Sequence, residues 1–215
     1  MLITESLKNQ NFFLKRLNFK EFIMKLKYLA LTALALSILT FYALAPGATQ
    51  SQTIKTGDKV LVAYYSRTGN TRTIADEIQK QLNADVFEII PAQEYPADYR
   101  QTTEQAKKEI SEGIHPALKN QPVNLKDYQV IFVGSPCWWG TVASPVATFL
   151  AENDFNGKVI VPFMTHGGSG LGRSVSDIKN LAAEAGVTGA KVFWGSSAKN
   201  AGTDVNEWIK GLQND

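Results

Sequence analysis

The chain contains a single cysteine, Cys137, in 215 residues, so it forms no internal disulfide and no cysteine-based metal cluster. Its two histidines, His115 and His166, stand far apart, which leaves no histidine-rich metal motif. Charge of one sign is also scarce. Residues 1–48 hold six Lys/Arg against two acids, leaving 16 bases and 18 acids over residues 49–215. Basicity confined to the N-terminal stretch gives no support to a nucleic-acid surface. No Gly-Lys-Ser/Thr is present to clamp a nucleoside triphosphate, and no G-x-G-x-x-G to seat a pyrophosphate. Internal repeats and low-complexity tracts are missing too. The remainder is ordinary globular composition, 44% hydrophobic and 20% charged, in a length that suits one sizeable domain.

The one long apolar run, Tyr28–Leu44, follows Met24, Lys25 and Lys27. A basic start, an apolar stretch and small residues after it read as a secretory signal. Ala43-Leu44-Ala45 and Ala45-Pro46-Gly47 are its cleavage candidates. The run is just shorter than the roughly 20 residues of a membrane span. An uncleaved anchor is therefore the alternative, and a buried core helix a third reading. Residues 1–23 are read as an N-terminal extension or the product of an early start codon. Residues 24–48 are signal peptide or membrane anchor, 49–58 a polar linker, and 59–215 the folded domain. Export from the cytoplasm to the periplasm or another extracytoplasmic space is expected.

Within that domain, strand-like and helix-like segments alternate. Lys59–Tyr65, Ala84–Ile90, Gln129–Gly134, Gly157–Thr165 and Lys191–Gly195 are short apolar or β-branched runs. Ile74, Ile78 and Leu82 share one face of a helix over Asn70–Leu82. Further helices are expected at Tyr99–Glu112, Ser144–Glu152 (Pro145 in its first turn), Ser174–Ala185 and Asp204–Leu212, the last with Asp204 as N-cap. This order predicts an α/β domain, a doubly wound five-stranded parallel sheet with helices on both faces. Ligands of such sheets sit at the carboxyl ends of the strands. The loops after Tyr65, Gly134 and Thr165 are therefore the candidate site.

The first loop places hydroxyls on Ser66, Thr68 and Thr71 and an amide on Asn70 around Gly69, where a helix begins. A helix N-terminus adds unpaired N–H groups and partial positive charge, so the loop suits a phosphate monoester; a plain capping turn is the simpler alternative. The second loop, GSPCWWGTVASP, brings Pro136, Trp138, Trp139 and Gly140 to the same edge, one tryptophan expected to pack the core. The third, Thr165-His166-Gly167-Gly168-Ser169, has little bulk, and its backbone can donate to a ring edge.

These motifs together resemble the flavodoxin family: Ser66-Arg67-Thr68-Gly69-Asn70-Thr71 matches its S/T-x-T-G-x-T phosphate loop, and Trp139-Gly140 its flavin-stacking loop. The resemblance spans about Lys59–Gln213 and, with an uninterrupted strand at Lys191–Gly195, looks like the short-chain form. It implies FMN as cofactor. Ser66, Thr68, Asn70 and Thr71 would hold the phosphate, with Arg67 turned to solvent. Trp139 would stack on the isoalloxazine. Gly140 would offer a flexible peptide carbonyl to the reduced N5–H, and Gly167, Gly168 and Ser169 donors to the pyrimidine edge.

This chain departs from the family pattern in three ways. Thr141 stands where many flavodoxins carry an acid, which implies a less negative potential. No tyrosine lies in Thr165–Ser174 to cover the outer flavin face, leaving His166 to fill that role in part or not at all. The domain's net charge, −2, is mild for docking basic partners. Cys137 is read as a small core hydrophobe, and Arg173, Lys199 and Asn200 as solvated surface. The resemblance implies an electron carrier for a redox partner protein. Its alternatives are an FMN-dependent NAD(P)H:quinone-type oxidoreductase and a binding module without redox activity. The polar stretch Glu94–Asn124 is the expected seat of partner specificity.

Overall fold

A computed structural model describes residues 54–121 and 124–214; the N-terminal extension, the signal or anchor segment and the start of the linker lie outside the described residues. The strands are β1 (Val60–Tyr64), β2 (Asp85–Glu88), β3 (Val130–Trp138), β4 (Thr141–Val142), β5 (Val159–His166), β6 (Gly186–Val187) and β7 (Lys191–Trp194). Between them run helices α1 (Asn70–Leu82), α2 (Tyr99–Glu112), α3 (Ser144–Glu152), α4 (Ser174–Leu181) and α5 (Gly202–Asn214).

The main sheet is parallel in the order β2-β1-β3-β5, with β6 and β7 both pairing β5 at its far edge. That is a doubly wound topology. Because successive strand residues point to opposite faces, β1 sends Leu61 and Ala63 to one apolar layer and Val60, Val62 and Tyr64 to the other. Helices α3 and α4 cover the first layer with Phe149, Leu150 and Ile178. Helices α1 and α5 cover the second with Ile74, Ile78, Val205 and Ile209. Phe149 stacks on Phe87 at 5.8 Å and meets Phe155 edge-on, and burying such a ring stabilises the fold by about 1.5–3 kcal/mol.

Three expectations need correcting, and one short strand was not foreseen. The expected strand at Lys191–Gly195 is β7; the unforeseen β6 pairs the start of β5 while β7 pairs its end. Helix α4 stops at Leu181, before Ala185, and the chain turns into β6. Helix α5 starts at Gly202, so Asp204 lies in its first turn and is no N-cap; the preceding 3-10 turn, Gly195–Asn200, feeds it directly through Val205 N–H to Ala201 O at 2.8 Å. Finally, β3 does not end at Gly134. It continues to Trp138, because Cys137 and Trp138 pair antiparallel with Val142 and Thr141 of β4. That extra hairpin carries the Trp-rich segment beyond the sheet edge.

Candidate functional site

The carboxyl ends of β1, β3, β5 and β7 surround a pocket of about 670 Å³. The first loop supplies Arg67, Thr68, Asn70 and Thr71 to its wall; the hairpin supplies Pro136, Trp138, Trp139 and Gly140; and the end of β5 with the loop after it supplies Thr165, His166, Gly167 and Ser169. Ser66, Gly69 and Gly168 are not on that wall.

Gly69, at φ +89°, turns the chain into α1, and α1 has no side-chain cap. Its first N–H groups have no intrahelical partner. The space where a Cβ of Gly69 would stand is open. Thr71 and Thr165 share a hydrogen bond at 2.8 Å between their hydroxyls, which joins the first and third loops. Ser66 Oγ is one of three buried side-chain oxygens in the described residues with no partner. Arg67 departs from expectation: it neither reaches into solvent nor points along the loop. Its Nη2 donates to the carbonyls of Pro96 and Ala97, both at 2.8 Å. The loop's other donors are hydroxyls, an amide and backbone N–H groups.

The two tryptophans divide as expected. Trp138 packs edge-on against Tyr95 at 4.9 Å and Tyr65 at 5.6 Å. Burial pushes both phenols well above their ordinary range, and the buried Glu109 beside Tyr95 adds to its shift. Trp139 instead is 53% exposed at φ +50°, followed by Gly140 at φ +78°. Two consecutive positive φ values form the tight hairpin turn that matches the strand twist. Helix α2 holds the ring: Trp139 Nε1 donates to Thr103 O at 3.0 Å, and Lys107 Nζ lies 5.1 Å from the ring centroid.

The Gly140 carbonyl, expected as a free acceptor, takes the Arg173 N–H at 2.7 Å. Gly172, at φ +52°, leaves no room for a Cβ, which would stand 2.2 Å from that oxygen. Gly168 is likewise committed: its N–H donates to His166 Nδ1 at 3.0 Å. His166 is 8% exposed and packs at 4.6 Å against Trp194. It therefore anchors the glycine-rich loop and is no lid in solvent.

Sequence reasoning missed one aromatic and one wall. Trp194, 54% exposed, enters the pocket with Gly195 and Ser196 from the end of β7. The rule that picked the other strand ends would have found it. Tyr99, Thr102, Thr103 and Ala106 of α2 form the wall opposite. No local pattern in α2 announces this, because the helix reaches the site only through tertiary packing. Cys137 is half-buried and reaches the pocket wall while packing against the core.

A doubly wound sheet with an uncapped helix at a hydroxyl-rich loop and an exposed tryptophan at the neighbouring strand end defines a class of protein that holds a flat, anionic ligand at its strand ends. The sequence model of the flavodoxin family matches residues 59–212, and the chain belongs to that family. A relative from Azorhizobium caulinodans named NAD(P)H dehydrogenase (quinone) is 31% identical over 126 residues. That match covers 51% of this chain and 59% of the relative's own length. A crystal structure from Bacteroides eggerthii, provisionally described as a flavoprotein, is 27% identical with a TM-score of 0.65, covering 74% of this chain and 100% of that one. A Lactobacillus acidophilus flavoprotein in complex with FMN shares the fold at 24% identity and a TM-score of 0.57, over 71% of this chain and 99% of its own.

Proposed function

We propose that this chain is an FMN-binding electron-transfer protein serving a redox partner. One observation carries the reading: hydroxyl and amide donors at the α1 N-terminus and the exposed ring of Trp139 share a single pocket of about 670 Å³. The donor set suits a phosphate monoester. Thr68, Asn70, Thr71 and the first-turn N–H groups of α1 bind it, helped by roughly half a unit of positive charge at the helix end. Trp139 packs on the ring system, and Gly167 and Ser169 approach its edge without bulk. Bound FMN supplies the electron-carrying ring, while the protein supplies binding, orientation and water exclusion.

A second reading, an FMN-dependent NAD(P)H:quinone-type oxidoreductase, is favoured by the Azorhizobium relative and by the exposed Tyr99, Trp139 and Trp194 at the pocket. We also propose export from the cytoplasm, supported by the basic start and apolar run after Met24.

The test is the anaerobic visible spectrum of the purified protein before and after NADPH. A flavin band that NADPH leaves untouched, and dithionite bleaches, supports the carrier. Bleaching by NADPH within seconds supports the oxidoreductase. A colourless protein that takes up no added FMN sinks both.

A further inference from the structure

Helix α2 is a pocket wall with little to hold it down. Surface helices usually dock through an apolar stripe, yet the buried side chains of α2 are Thr102, Ala106 and Glu109, and only one of these is apolar. Polar contacts hold it instead. Arg67, in the first loop, donates to the carbonyls of Pro96 and Ala97 just before the helix. Thr102 Oγ1 returns to the same Pro96 carbonyl at 2.6 Å, and Asp98 caps the first turn by accepting from Gln101 N–H at 2.8 Å. One turn along, Thr103 O holds the Trp139 indole, and Lys107 lies over its ring. The chain of contacts thus runs from the phosphate-type loop, through the start of α2, to the exposed aromatic at the other end of the pocket.

We propose that Arg67 is a positioning residue: it tethers α2 to the first loop and thereby sets Trp139 for the ring of the bound flavin, without touching the phosphate. The flavin part of this inference rests on the function proposed above; the tether does not. Both N–H groups of Nη2 are committed to carbonyls, which turns that end of the guanidinium toward α2, and the neighbouring hydroxyls and backbone N–H groups face the anion. The two roles differ in what a phosphate-free ligand feels. A phosphate contact affects FMN alone, whereas a tether acting through Trp139 affects every flavin.

The experiment measures dissociation constants of FMN and of riboflavin for the wild type, Arg67→Ala, Trp139→Phe and the double variant, with amide exchange of α2 followed in the flavin-free protein. The tether predicts that Arg67→Ala weakens both ligands by the same factor, roughly tenfold for two lost charge-assisted hydrogen bonds. It predicts faster exchange at Thr102, Thr103 and Ala106 without any ligand. In the Trp139→Phe background, which keeps a ring but loses the N–H, Arg67→Ala should cost much less, because coupled sites are not additive. Loss of FMN affinity alone, or additive losses in the double variant, would overturn the proposal. So would unchanged α2 exchange. Wild-type protein that binds neither flavin would defeat the functional reading, and the exchange data would still decide the tether.

Discussion

Trp139 carries two opposed effects at one position. A bulky residue at φ +50° is disfavoured by about 1–2 kcal/mol. Its hydrogen bond to Thr103 O and its contact with Lys107 return about 0.5–1.5 kcal/mol each. Trp139→Gly removes all three, so we expect its melting temperature to stay within a few degrees of wild type while FMN affinity drops at least tenfold. A large loss of stability instead would show that the indole supports the fold. Ser66 gives a parallel case, since its buried hydroxyl has no partner without ligand. An unsatisfied buried group costs roughly 1–3 kcal/mol. Ser66→Ala is therefore expected to raise the flavin-free denaturation midpoint. A drop in that midpoint would mean the hydroxyl is satisfied after all. The sequence made these residues visible as types in a loop. It could not show that Arg67 turns away to Pro96 and Ala97, because those carbonyls lie about thirty residues along the chain.

Among the elements, β3 does most to build the site, since its end becomes the hairpin that carries Trp139. Its register against β5 is set where Gly134 stands beside Phe163. A Cβ on Gly134 would lie 2.2 Å from Phe163 Cζ, and that ring is fully buried. Gly134→Ala should therefore destabilise the protein by about 3 kcal/mol, read from its urea midpoint, because a packed core accommodates added volume poorly. A midpoint unchanged from wild type would mean that the β3–β5 layer is looser than its packing indicates. The apolar run QVIFVG marks this strand in the sequence, but its true end at Trp138 depends on pairing with Thr141 and Val142. The unforeseen β6 has the same origin: two residues form a strand there because they pair the start of β5, and local propensity does not mark them.

For the whole molecule, the buried phenol of Tyr65 and the half-buried one of Tyr95 couple stability to alkaline pH. Burial raises Tyr65, and burial together with Glu109 raises Tyr95, both above the ordinary tyrosine value near 10. A raised group holds its proton more tightly in the folded state. The stabilisation is thus complete below about pH 10 and is lost as pH rises further, because the unfolded chain ionises first. The denaturation midpoint should fall above about pH 10, and Tyr95→Phe should flatten that fall. A slope unchanged by the substitution would assign the effect to other groups. The same variant also strips a 2.5 Å partner from the buried Glu109, so a lower midpoint at neutral pH is expected.

The sequence by itself determined the class of fold and the ligand end of the sheet. Both follow from local periodicity and from the general rule that doubly wound sheets bind at their strand ends. It also determined the chemistry of the first loop, because hydroxyls beside a helix N-terminus suit an anion wherever the helix sits. Only the tertiary structure decided which backbone groups remain free. The Gly140 carbonyl is taken by Arg173 and the Gly168 N–H by His166, contacts made by the folding of the loops onto each other. It alone brought helix α2 to the pocket. That placement depends on polar tethers between distant segments, which leave no period in the sequence.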